Sequence, residues 1–393
     1  MKMQNLKKKG FTLVELVIVI AVVAILAAVL IPSFASLIKK ANQSADQQAV
    51  VQMNKLLVLD EVSDQKPQTT DDVVEILIKN GYSDSLTPYY SGYKLAWLKD
   101  DNVIVLVENN AVVFPEDYKG ATNYQELSPM ISNVEDLLEA LEAGKTVFVS
   151  SDIVADGLSA TAAGEYAVNL TGNKLNSSST VGSWVEGGKL VITDGAIEAT
   201  VGRTAVLAKA GGTVELNNVQ VYTQNGVNPL QCYGGTMILN NVVSSQSGSI
   251  EGNEKWYDSA VQVINTIQQQ EDGKYQIYGQ QATLVINGGM YSGKKAIQIS
   301  APGGNVTINS GNFIGTEQVI NADFAPQNYR NSEGYESVIT INGGTFNGNI
   351  KISAATVLII NGGTFTINPS TIQNVTINGT VVDNGNGTWT VRK

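Results

Sequence analysis

The chain has 393 residues, a net charge of −11, one cysteine and no histidine. The acidic balance argues against a nucleic-acid partner, which needs clustered Lys and Arg, and Arg203, Arg330 and Arg392 are the only arginines. With Cys232 alone no intrachain disulfide can form, and without histidine the Ser-His-Asp and Cys-His nucleophilic systems and every His-containing metal site are excluded.

The chain begins with a short basic segment, Lys2 and Lys7-Lys8-Lys9, followed by Gly10-Phe11-Thr12-Leu13-Val14-Glu15-Leu16. From Phe11 to Ile31 there are 21 residues, and Glu15 is the only charged one. A helix of that length spans roughly 30 Å, the hydrocarbon thickness of a bilayer. A secretory signal peptide would be shorter and would end at a small-residue cleavage site. A plain membrane anchor suits the basic flank. It leaves Glu15 unexplained, because a carboxylate inside such a span is costly.

Gly10, Phe11 and Glu15, with Thr12, Leu13, Val14, Leu16 and Ile18 around them, resemble the processing segment of type IV prepilins and pseudopilins. The resemblance covers about residues 1–40. It implies that a prepilin peptidase cuts after Gly10 and methylates the new N-terminus at Phe11. It implies a single-pass helix in the cytoplasmic membrane before assembly, a helix bend at Pro32, and other pilin subunits as partners afterwards. In a filament the Phe11 ammonium of one subunit and Glu15 of its neighbour would meet in low dielectric, where an unpaired charge is expensive. Without the four lysines of residues 1–10 the side-chain charge is −15.

Beyond Pro32 the helix is expected to reach about Asp60. Leu37, Ala41, Ala45, Ala49, Met53 and Leu57 recur every four residues, with Phe34, Ile38 and Leu56 beside them and Asp46 among the polar residues of the other face. Thr70 and Asp71 are expected to cap a second helix, Asp72 to Lys79, closed by Asn80-Gly81. Lys94–Leu98, Val103–Val107 and Ala111–Phe114 read as an antiparallel meander with turns at 100–102 and at Asn109-Asn110. Asp100 and Asp101 read as solvated turn residues.

A second organisation starts near Ser128. Residues 133–144 predict a short capped helix with Val134, Leu137, Leu138 and Leu141 on one face and Gly144 as its stop. Alternating strands ending in polar corners follow, such as Leu284-Val-Ile-Asn-Gly-Gly289 and Ile339-Thr-Ile-Asn-Gly-Gly344. The last aliphatic before each corner falls at 192, 216, 239, 286, 308, 341, 360 and 377. Most intervals are 17 to 24 residues, the 239–286 gap is read as two steps, and 308–341 carries an insertion. Asn287, Asn309, Asn342, Asn361 and Asn378 are expected to stack as an internal hydrogen-bonded ladder. Tyr291, Phe313, Phe346 and Phe365 are expected to stack in the core. Stretches 246–257, 268–280 and 326–336 read as projecting polar loops, and 381–391 as a closing hairpin with Trp389 over the last coil. The small helix followed by these repeats resembles the opening of right-handed parallel β-helices of the pectate-lyase-like class. There the helix plugs the first coil, which would otherwise expose apolar side chains and strand edges.

The expected fold is therefore mainly β with an N-terminal transmembrane and stalk helix. Residues 1–10 are a leader, 11–60 the helix, 61–127 a small α+β pilin-like head, and 128–393 a right-handed parallel β-helix solenoid. A hydrolase or lyase needs paired carboxylates or a calcium cluster on one face. Asp194, Glu198 and Glu215 are the obvious acids of the early coils, and Arg203 stands alone. No catalytic residue, metal or cofactor is assigned. The expected function is a minor, tip-located pilin presenting the solenoid to a glycan or protein ligand. The alternatives are a surface-anchored polysaccharide lyase or glycoside hydrolase, and a pseudopilin of a secretion or DNA-uptake system.

Overall fold

A computed structural model describes the chain except for residues 1–12, 64–65, 83–85, 129, 142–143, 156–157, 161–162, 178–180, 200–203, 210, 224–227, 247–257, 280, 325–328 and 331–335. The chain divides into two compact units, Met1–Leu127 and Ser128–Lys393. It is mainly β, with few helices.

The first unit is built on α1, a 51-residue helix over Leu13–Ser63 whose backbone continues through Pro32. A short helix, α2 (Thr70–Lys79), follows. Its cap is Thr69, one residue before the expected Thr70, because this places Asp72 at the third helical position. There Asp72 accepts from the Thr69 and Gln68 amides at 2.9 and 2.8 Å, completing a reciprocal capping box. Strands β1 (Lys94–Leu98), β2 (Val103–Glu108) and β3 (Ala111–Phe114) form the expected antiparallel meander, with β4 (Gln125–Glu126) added beside β1. Asn109 and Asn110 both have positive φ, the conformation that a tight hairpin turn demands. One sheet face buries Ala96, Leu98, Val105, Val107 and Val112. The opposite parity, Leu95, Trp97, Ile104 and Leu106, is buried as well, and α1 packs on β2.

The second unit is a stack of coils in which strands pair in parallel with the strands one coil before and after. Three ladders run its length. In the first, an inward column passes through Leu190, Val214, Met237, Leu284, Val306, Ile339, Leu358 and Val375, in register. In the second, Ile197, Val221, Ser244, Tyr291, Phe313, Phe346 and Phe365 are aligned. In the third, Ser183, Val206, Leu230, Val261, Ile297, Ile320 and Ile350 are aligned. Long strands such as Thr283–Ile299 and Asn305–Ala322 bend at the corners and serve all three ladders. The four aromatic rings stack with centroids 5.1, 4.9 and 4.9 Å apart, as the sequence suggests.

The ends are closed differently. Helix α3 (Val134–Ala140), capped by Asn133, sits on strands Thr146–Val149 and Ile153–Ala155. It buries Leu137, whereas Leu138, expected on the apolar face, is 54% exposed. The helix stops at Ala140, before Gly144. At the other end strands Thr380–Asp383 and Trp389–Arg392 form the closing hairpin, and Trp389 pairs with Phe365.

Two readings of the insertions need correction. The 239–286 interval is one coil, not two, because Met237 pairs directly with Leu284. Its extra residues leave the coil. Residues 247–257 lie outside those described. Residues 266–278 are not a projecting loop but a hairpin, Thr266–Gln269 with Tyr275–Tyr278, joined in parallel by Tyr329–Arg330. The Tyr233 hydroxyl donates to the Ile267 carbonyl and accepts from the Ile267 amide, fastening the hairpin to the third ladder. On that ladder Gln262, Gln298 and Ser300 lie between inward aliphatics yet are buried. Gln262 accepts from Asn228 and Gln231 and donates to Ser300, which satisfies its amide.

Candidate filament-assembly site

The described side chains at the start of α1 are apolar around the helix. Leu13, Leu16, Val17, Ile18, Val19, Ile20 and Val22 are exposed, each by about half or more. Phe34, Leu37 and Ile38 are also exposed, at 58 to 61%. A helix that is hydrophobic all round is stable only when something outside it, lipid or other helices, covers it. Gly10 and Phe11 lie outside the described residues. Glu15 and Pro32 lie on the backbone of α1, and their side chains are not described. Among the described residues no helix is long and apolar enough to cross a membrane; the side chains at 14–15, 23–33 and 35 fall outside that set.

The second half of α1 is fixed to the sheet. Its buried stripe is Asp46, Val50, Met53 and Leu57, so the expected four-residue stripe holds only from Met53 onward. Asp46, expected on the polar face, is buried because its carboxylate accepts from the Tyr89 and Tyr90 amides at 2.7 and 2.9 Å. Asn54 accepts from the Ile104 amide at 2.7 Å and donates to the Ile104 carbonyl at 2.9 Å, pinning the helix to β2. Neither role has a periodicity signal; both depend on backbone brought in from residues more than forty positions away. Lys39 lies 4.6 Å over the Tyr90 ring, and its ammonium is held above the usual lysine range, chiefly by a hydrogen bond with the Tyr90 side chain. On the outer side of α1, Val51, Lys55, Val58 and Leu59 border a groove of about 650 Å³ closed by Val103, Pro115 and Tyr118.

On the solenoid the asparagine ladder forms, but outside rather than inside. The inward column ends at Ile286, Ile308, Ile341 and Ile360, so strand alternation turns the next residue outward. Asn240 donates to Asn217, Asn287 to Asn240, Asn309 to Asn287, Asn342 to Asn309, Asn361 to Asn342 and Asn378 to Asn361, all at 2.7–2.8 Å. The acids of the early coils are dispersed. Glu215 pairs with Lys189 at 2.9 Å, and Lys189 also reaches Glu165 at 3.3 Å. The hydrogen bond to Glu215 is the main reason that the Lys189 ammonium is held above its ordinary range. Asp194 accepts from Asn218 at the corner, and Glu198 lies on the next ladder. Arg203 is outside the described residues. Cys232 is fully buried, and burial pushes its thiol up to about 12. Among the described residues no group of three or more acidic or Cys side chains could hold a metal ion.

Residues 5–31 match the family model for the prokaryotic N-terminal methylation motif. The type IV wide pilus major component PilA4 of Thermus thermophilus is 64% identical over 36 residues. That stretch is 9% of this chain and 28% of the Thermus protein, so the chain spans well under half the length of that relative. No solved structure matches. The chain thus carries a type IV pilin-type N-terminus and is similar there to a pilin subunit.

Proposed function

We propose that this chain is a type IV pilin-like subunit of a surface filament, minor and located at the tip, without enzymatic activity. Prepilin peptidase cuts after Gly10, and Phe11 becomes the methylated N-terminus. Residues 11–31 hold the subunit in the cytoplasmic membrane as a single span until assembly, with a bend at Pro32. In the filament Glu15 pairs with the Phe11 ammonium of a neighbour, and the apolar start of α1 is covered by the helices of other subunits. The second unit, read as a right-handed parallel β-helix, is displayed for adhesion to a host or environmental glycan or protein. The observation that carries this reading is the match of residues 5–31 to the methylation motif, with Gly10, Phe11 and Glu15 in place. The exposed apolar side chains between Leu13 and Val22 support it, since that surface needs a cover. The bulk of a 266-residue second unit supports a low-copy tip position over the body of a thin filament.

Mass spectrometry of the N-terminus, on membrane and sheared surface fractions separately, tests the reading. A chain beginning at N-methylated Phe11 in the sheared fraction is expected. An intact Met1, or confinement to membranes, would overturn it. Glu15→Ala is expected to leave cleavage intact and to deplete the sheared fraction at least tenfold, because an unpaired ammonium inside the helix bundle is costly.

A further inference from the structure

We propose that the outward face of the first ladder is a homotypic contact surface whose occupant is the same face of a second copy of this chain. The outward middle column of six consecutive rungs is Ile238, Val285, Thr307, Thr340, Ile359 and Thr376, beside the asparagine ladder. Parallel pairing holds these rungs about 4.8 Å apart, so the face is regular and roughly 24 Å long. No outward residue of these six rungs is charged.

Three features select the occupant. The chain carries −11, or −15 without its first ten residues, so two copies repel wherever acidic surface meets acidic surface. The uncharged face is where that repulsion is least. Asn287, Asn309, Asn342 and Asn361 each spend one N–H and one oxygen lone pair on the ladder and keep one of each for the outside, whereas Asn240 also donates to Glu215. A row offering a donor and an acceptor at four successive rungs is self-complementary under a two-fold axis. A second copy also matches the repeat by construction, because its rungs have the same spacing. No outward residue of these six rungs is aromatic, so the face lacks the rings that would favour a stacked sugar.

The footprint is roughly 400–500 Å² per partner, which is the weak, transient class of interface. Several such contacts between displayed copies would act together through effective concentration. Surface display gives the contact its consequence, but the contact itself does not depend on N-terminal processing. Failure of one reading is therefore visible without failure of the other.

The test is site-specific disulfide capture in the full-length chain in detergent, where the position of the cross-link, not the mass, is read because α1 can associate by itself. Cys232 is fully buried, so an introduced thiol is the reactive one. Thr307→Cys or Thr340→Cys is expected to give at least tenfold more cross-linked dimer under mild oxidation than Lys351→Cys on the third ladder. The yield should rise with salt as repulsion is screened. Adding Val285→Asp or, separately, Thr376→Asp should abolish it, with circular dichroism confirming the fold. Equal yields at the two faces would overturn the proposal. So would retention on an uncharged polysaccharide that Val285→Asp abolishes, with no cross-link at Thr307 or Thr340.

Discussion

The early and late coils of the solenoid turn the same corner in two ways. In both, the inward residue of the second ladder stands five positions after the last inward aliphatic of the first: Leu216 to Val221, Leu239 to Ser244, Ile286 to Tyr291, Ile341 to Phe346. In the early coils the positive φ falls on the second corner residue, Asp194, Asn218 or Asn241. The third corner residue, Val219 or Val242, is then free to bury its side chain. In the late coils the third residue is Gly289, Gly311, Gly344 or Gly363, each with positive φ. The inward residue that follows is aromatic. A Cβ on Gly311 would lie 3.0 Å from the Phe313 ring, and one on Gly363 would lie 3.3 Å from the Phe365 ring. The ring occupies the space that valine fills in the early coils. The difference teaches that the corner keeps its length and its interior volume, and trades which residue supplies that volume.

The most severe way to break this comparison is to force the early solution on a late corner. Gly289→Val places a Cβ 1.9 Å from the Val242 carbonyl oxygen and 2.6 Å from its nitrogen, on a backbone with φ +94°. Backbone cannot give way as a flexible side chain can, so a loss of about 4 kcal/mol or more is expected, read by denaturant unfolding. A loss under about 1 kcal/mol would mean that the late corner has room the comparison denies.

A transplant in the other direction sharpens it. Ser244 is fully buried and donates to the Ala260 carbonyl at 2.8 Å. Ser244→Phe alone overpacks the coil beneath Val242 and should cost about 2–3 kcal/mol. Combined with Val242→Gly, which opens the room that a late coil has, it should recover about 1 kcal/mol of that relative to the sum of the single changes. Strict additivity in the double-mutant cycle would sink the idea that the two positions share one volume.

Much of this was legible in the sequence because a solenoid repeats its chemistry. The aromatic stack and most coil steps follow from Tyr291, Phe313, Phe346 and Phe365 standing at a fixed distance after Asn-Gly-Gly or Asn-Ser-Gly corners. Two things were not legible. The 47-residue step from Leu239 to Ile286 fits two coils by arithmetic, and only strand pairing shows that its extra residues leave the stack. The side of the asparagine row is ambiguous by composition because a polar ladder suits either side chemically; the inward isoleucine before it settles the matter through strand parity. In the first unit Asp46 reads as solvent-facing on a helix wheel, since the Tyr89 and Tyr90 amides that bury it are supplied by tertiary structure alone.

The smallest expected effects separate the two asparagine roles at the corner. Asn342 donates to Asn309 and accepts from Asn361, both at 2.8 Å and both on the exposed side, where water replaces a lost partner. Asn342→Ala should therefore cost only about 1 kcal/mol. Asn218 also makes two ladder-like bonds, to Asp194 and from Asn241, but it does so at φ +56°. Alanine there adds a left-handed backbone penalty of roughly 1 kcal/mol, whereas glycine does not. The expected order of destabilisation is Asn218→Ala, then Asn342→Ala, with Asn218→Gly close to the latter, measured as shifts in the thermal midpoint. If Asn342→Ala proved the costlier alanine variant, the amide ladder rather than backbone conformation would be what holds the corner.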